Sequence, residues 1–94
     1  MEEAFNRIKT HKGIKGILIV NTEGVPVRST MNPEETLKYS GLISNLTNKA
    51  SAVIKELDKT NELMFLRVRS KLHEVMVAPD REFMLVVIQN PDEA

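Results

Sequence analysis

Phe83-Met84-Leu85-Val86-Val87-Ile88 is an uninterrupted run of six apolar residues near the end of the chain. Such a run, with β-branched and aromatic side chains at several positions, predicts a β-strand. Successive side chains of a strand point to opposite faces, so about three apolar residues point each way. Leaving one face in water would forgo roughly 5–9 kcal/mol, which rivals the whole stability of a small domain. The sheet that contains this strand must therefore be covered on both sides.

Composition restricts the class of protein. The chain has 94 residues, which predicts one domain over residues 1–94, and its 13 basic and 13 acidic residues cancel. We therefore expect no nucleic-acid partner, because no excess of positive charge is present. No apolar run reaches the roughly 18–20 residues of a membrane span, no signal peptide is visible, and cysteine is absent. We expect a soluble, cytoplasmic chain with no membrane partner.

The first third of the chain predicts a helix and a hairpin. Residues Glu2 to Thr10 form a short helix candidate whose apolar stripe includes Phe5 and Ile8. Ile17 to Val20 is a second strand that is apolar on both faces. Asn21 to Gly24 is a turn, and Val25 to Thr30 contains Pro26, which lacks an N–H group and is typical of an edge strand.

A long helix follows, beginning after Asn32 as N-cap, with Pro33 in the first turn and Glu35 at the capping-box position. It should run to about Leu57. Apolar residues recur at steps of three and four and predict the face that packs on the core: Tyr39, Leu42, Leu46, Ala50, Val53 and Leu57.

A stripe of small residues runs along the side of this helix. Small side chains would let another helix approach closely, or the residues could be half-exposed serines on a surface helix. The stripe comprises Ser40, Ser44, Thr47 and Ser51, flanked by Ile43 and Ile54.

The last third predicts a three-stranded meander. Leu63 to Ser70 is the third strand, and His73 to Ala78 returns antiparallel, which places Val68 opposite Val75 and Arg69 opposite Glu74. The fold class is therefore α+β in the order α-β-β-α-β-β-β. A mostly antiparallel five-stranded sheet would have the long helix on one face and the short helix on the other. The short helix looks too small to cover its face, which predicts a partner surface.

Residues that could carry chemistry are few. His11 and His73 have no second ligand at metal-binding spacing, and Gly13-Ile14-Lys15-Gly16 lacks the end of a phosphate-binding loop. We predict no catalytic residue, no metal and no cofactor. Arg67 and Arg69 share a face of the third strand, where they form either a solvated charged edge or a contact with a partner.

Several segments resemble the Roadblock-type dynein light chains. The resemblance covers nearly the whole chain and is least typical between Pro33 and Thr60. The segments that carry it are Met64-Phe65-Leu66-Arg67-Val68-Arg69-Ser70-Lys71, Val75-Met76-Val77-Ala78-Pro79-Asp80, Val87-Ile88-Gln89-Asn90-Pro91 and Gly16 to Met31.

This resemblance implies a non-enzymatic homodimer. Two sheets would join through the third strand into one ten-stranded sheet, and the long helices would lie antiparallel on one face. The implied dimer interface is Ile43, Ser44, Thr47, Ser51 and Ile54 on the helix, with Leu63, Met64, Phe65, Leu66, Arg67, Val68 and Arg69 on the strand.

The resemblance also implies a partner on the opposite face, a segment of the dynein intermediate chain. Its contact residues would be Phe5, Ile8, Phe65, Arg67 and Met76. The chain would support motor assembly and cargo attachment on microtubules, in the cytoplasm or an axoneme, and could also form heterodimers with a paralogue. The alternative is a regulatory scaffold for a small GTPase built on the same fold.

Overall fold

The apolar run at 83–88 forms the central strand of one five-stranded sheet, in which every neighbouring pair of strands is antiparallel. The computed structural model describes residues 2–91, so Met1 and residues 92–94 of the predicted domain lie outside the described range. The elements in chain order are α1 (Glu2–Ile8), β1 (Ile14–Asn21), β2 (Pro26–Ser29), α2 (Pro33–Leu57), β3 (Leu66–Arg69), β4 (Glu74–Pro79) and β5 (Phe83–Gln89). No helix within this range is both long enough and apolar enough to cross a bilayer.

The order of strands across the sheet is β2-β1-β5-β4-β3, which leaves β2 and β3 as the two edges. The α+β fold class and the element order are confirmed. The predicted register of the last hairpin is also confirmed, since Val68 pairs with Val75 and Arg69 with Glu74. The strand β3 is shorter than predicted, however, because pairing begins only at Leu66 rather than at Leu63.

Two apolar clusters lie on the two faces of the sheet, and the central strands β1 and β5 contribute to both. In one copy of the chain, these two strands are therefore already buried from solvent on both faces. The cluster under α2 consists of Leu18, Val20, Val77, Met84, Val86 and Ile88. The cluster under α1 consists of Phe5, Ile17, Ile19, Leu85 and Val87. The expected shortage of cover is thus absent at the centre of the sheet.

The start of α2 follows the predicted chemistry. The Asn32 side-chain oxygen accepts a hydrogen bond from the Glu35 N–H at 2.8 Å, and its amide donates to the Glu35 carboxylate at 3.1 Å. Pro33 occupies the first turn, where its missing N–H group has no cost. The turn before β2 is also as predicted, since Gly24 has a φ of +84°, a conformation that other residues rarely adopt.

The face of α2 that packs on the sheet differs from the prediction. The buried residues are the small ones, Thr36, Ser40, Ser44 and Thr47. The predicted core face is wrong for the four of its six members that are exposed: Leu42, Leu46, Val53 and Leu57. Tyr39 packs against the cluster under α2, as predicted. The sheet supplies the bulky side chains on this side, including Val20, Met84 and Val86, so the helix fits against it with short ones.

Candidate interaction surfaces

The edge strand β3 presents unpaired backbone groups on the side away from β4. Of the predicted interface residues in this region, Leu66 is half-buried and packs against the α2-side cluster, and Leu63 is half-buried. The others are exposed: Met64, Phe65, Arg67, Val68 and Arg69. Phe65 is 53% exposed and Val68 41%, so this edge combines open backbone with open apolar side chains.

A second apolar surface runs along α2. We call Leu42, Leu46, Val53 and Leu57 the outer stripe; all four are exposed. At about 100° per residue, the stripe lies roughly 120° around the helix axis from the buried face. Ser44, at the other margin of the buried face, lies beside Gly24 in the turn between β1 and β2. The outer stripe is therefore on the flank of α2 toward β4 and β3.

The helix residues predicted to contact a second helix are mostly engaged within one copy. Ser44 and Thr47 are buried against the chain's own sheet, and Ile43 packs on the α2-side cluster. Ser51 and Ile54 are half-buried. This part of the predicted contact is corrected, because Ser44 and Thr47 have no surface left for a second helix. Their hydroxyl oxygens have no hydrogen-bond partner among the described residues.

A groove of about 320 Å³ lies on the α1 face, between α1 and the β3 edge. Three of the predicted partner-face residues line it, namely Ile8, Phe65 and Met76. Phe5 does not, since it is buried at 2% exposure beneath α1. The sequence reasoning missed the remaining lining residues, which are His11, Ile14, Ala78, Leu85, Val87 and Gln89.

The cross-strand register could have identified some of these missed residues. Met76 pairs with Val87, and Ala78 pairs with Leu85, so these side chains share one face of the sheet.

A buried carboxylate lies next to this groove. Glu74 is 1% exposed, and it accepts hydrogen bonds from Arg67 Nε at 2.5 Å and from Gln89 Nε2 at 2.7 Å. The hydrogen bond from Arg67 is the main cause that lowers the pKa of Glu74, followed by the one from Gln89, while desolvation opposes both. The same pairing raises the pKa of Arg67. Arg67 is therefore not a fully solvated side chain, because its Nε donates a hydrogen bond to Glu74.

The position of α1 is set by an arginine from β2. The Arg28 guanidinium lies 4.4 Å from the centre of the Phe5 ring and forms an ion pair with Glu2. Together with burial of the Phe5 ring, these contacts hold α1 on the sheet and so define one wall of the groove.

The surfaces carry no arrangement for metal chemistry: residues 2–91 contain no cluster of three or more His, Cys, Asp or Glu side chains that could hold a metal ion. What they offer is an open sheet edge, an apolar helix stripe and an apolar groove. The fold is that of a small α+β domain with these three surfaces open.

The chain belongs to the Roadblock/LC7 domain family, whose model matches residues 1–90. Solved structures share the fold at low sequence identity. A Roadblock/LC7 domain from Streptomyces avermitilis matches with a TM-score of 0.85 and 10% identity, over 95% of this chain and 76% of that one. The gliding protein MglB from Thermus thermophilus matches with a TM-score of 0.81 and 12% identity, over 99% and 73%. An MglB structure with a tetrameric arrangement matches with a TM-score of 0.80 and 12% identity, over 98% and 71%.

Proposed function

We propose that this chain is a non-catalytic adaptor that works as a homodimer and holds a segment of another protein. The observation that supports the proposal most strongly is that one copy leaves a large apolar surface exposed. The outer stripe of α2 and the edge strand β3 lie on the same flank, and both are uncovered. Soluble chains rarely leave such a surface in water unless a partner covers it.

A second copy fits this surface better than an unrelated chain does. Pairing of β3 with its own counterpart would satisfy the free backbone groups of both edges at once. A two-fold axis perpendicular to the sheet would keep both α2 helices on one face and bring their outer stripes toward each other. The dimer would then bury Val68 and the stripe leucines, which are exposed in one copy, and it would leave Phe65 in the groove on the α1 face.

The groove on the α1 face supports the adaptor part of the proposal. It is lined mainly by apolar side chains, and it stays open in a dimer built through β3 because it lies on the face of the sheet rather than at its edge. We propose a segment of the dynein intermediate chain as its occupant. The support for this choice is the long resemblance of residues 64–71, 75–80 and 87–91 to dynein light chains. The place of action would then be microtubule-based transport.

The alternative occupant class is a small GTPase, for which the dimer would be a regulatory scaffold. This alternative stands because none of the three solved structures compared above is described as a dynein subunit. A partner GTPase would change its rate of GTP hydrolysis when the chain is added. If the partner is instead an intermediate-chain segment, that segment should co-sediment with the chain, and adding the chain to a GTPase should leave its rate of GTP hydrolysis unchanged.

Sedimentation of the purified chain, alone and with an intermediate-chain segment, tests the proposal. We expect a dimer alone and a complex of two chains with two segments. Val68→Asp should split the dimer, because it would bury an unpaired charge at the β3 edge. Leu72→Asp, in the exposed turn beyond the strand, is the control for the added charge, since Leu72 is 70% exposed and also starts from a neutral side chain. A chain that stays monomeric at high concentration would contradict the proposal.

A further inference from the structure

The α1 face carries positive charge beside the groove. Arg67 and Arg69 alternate with Leu66 and Val68 along β3, so both guanidinium groups lie on the α1 side. Glu74 engages only Nε of Arg67. Within residues 2–91, the terminal nitrogens of Arg67 have no hydrogen-bond partner, and Arg69 forms no ion pair. Each copy thus presents planar groups of donors that match a carboxylate.

The dimer of the proposed function would bring these arginines together. Directly opposite residues of an antiparallel pair point to the same face. A two-fold axis with both α2 helices on one side therefore pairs odd-numbered β3 residues with odd-numbered ones. The two-fold axis can pass through β3 at any position from Leu66 to Arg69. In each of these registers, an arginine of one copy is directly or diagonally opposite an arginine of the other, with Cβ atoms on the order of 5–8 Å apart.

This crowding leaves uncompensated charge at the centre of the dimer. Four guanidinium groups would face two Glu74 carboxylates, because each copy contributes two of the former and one of the latter. Like charges placed opposite each other in a sheet destabilise the pairing. Carboxylates brought by a ligand would offset this repulsion and would also occupy the free donors.

The groove and the arginines form one continuous surface. Gln89 lines the groove and donates to Glu74, which in turn binds Arg67. The described lining residues include no acidic side chain, and they include His11. Since the groove lies on the face of the sheet, beside a helix that already packs there, it suits a helix better than an added strand.

We propose that the α1 face of the dimer binds an amphipathic helix whose apolar side lies in the groove and whose carboxylates reach Arg67 and Arg69 at the dimer centre. This inference rests on the homodimer of the proposed function and adds the chemistry of the partner. It makes the partner acidic, and it makes binding of the partner strengthen the dimer.

Two labelled peptides of about 18 residues, long enough for a stable helical stripe, test the inference on the full chain by fluorescence anisotropy. Both carry the same leucine stripe at helical spacing, and they differ only in glutamate or lysine beside that stripe. We expect the glutamate peptide to bind more tightly, and its affinity to fall as salt is raised. Arg69→Gln should weaken its binding about tenfold or more, while Arg69→Lys should restore part of it. Arg81→Gln is the matched control, since Arg81 is exposed on the α2 side.

The outcomes separate the two proposals. Sedimentation of each variant shows whether the dimer persists, and a monomeric wild-type chain overturns both proposals. A dimer that binds both peptides equally, or binds neither, overturns the acidic-helix inference alone. Single-stranded DNA is added as a third ligand. If it competes as well as the glutamate peptide does, the arginines form a general polyanion site, which also overturns the inference.

Discussion

Leu42→Ala tests the outer stripe of α2 because it removes apolar surface that one copy of the chain does not use. Leu42 is 61% exposed, so the chain's own core loses little when this side chain is shortened. If a second copy covers the exposed part, the substitution should forgo about 1–2 kcal/mol in each copy. A two-fold dimer loses this twice, about 2–4 kcal/mol, which corresponds to a dimer dissociation constant raised roughly 30- to 1,000-fold.

Leu37→Ala is the matched control for that measurement. Leu37 lies on the same helix with 66% exposure, but roughly 170° around the axis from the outer stripe. We expect Leu37→Ala to leave the dissociation constant nearly unchanged in sedimentation equilibrium, while circular dichroism shows both variants folded. Equal effects of the two substitutions, or no effect of either in a chain that is dimeric, would show that the second copy does not cover this flank.

Two further predictions concern stability. The lowered pKa of Glu74 means that its ion pair stabilises the fold fully above the carboxyl's ordinary value of 4.5 and that this contribution is lost as pH falls through the lowered value. Glu74→Gln should therefore unfold at lower urea concentration than the wild type at pH 7, with a smaller difference in acid; an equal difference at both pH values would contradict the role of the charge. Asn32→Ala removes the cap of α2 and should cost about 1 kcal/mol in urea unfolding. Asn48→Ala, at an exposed helix position, should cost less.

Local pattern was sufficient for most of the fold. The strand at 83–88, the Gly24 turn and the Asn32 cap each depend on residues close in sequence, and all three are found in the structure. The hairpin register was predictable as well, since a short turn at Lys71-Leu72 places apolar residues opposite apolar ones on one face and Arg69 opposite Glu74 on the other.

The candidate surfaces were harder to predict because they depend on how elements fit together. Periodicity identified the apolar stripe of α2, but it could not show that a sheet with bulky side chains would select the small-residue face instead. The prediction that Glu74 lies opposite Arg69 is confirmed. The carboxylate of Glu74, however, accepts its hydrogen bonds from Arg67, which is diagonal to it, and from Gln89, which is fifteen residues away in sequence.

The elements, their order and the pairing of the last hairpin can be derived from the amino-acid sequence alone, because side-chain alternation, turn chemistry and capping act within a few residues. The surfaces that remain open become known only when the packed chain is seen, because the exposure of a side chain depends on all the elements around it. The rotation of α2 about its axis leaves Leu42 outside and Ser44 inside, and the short α1 leaves a groove beside Met76.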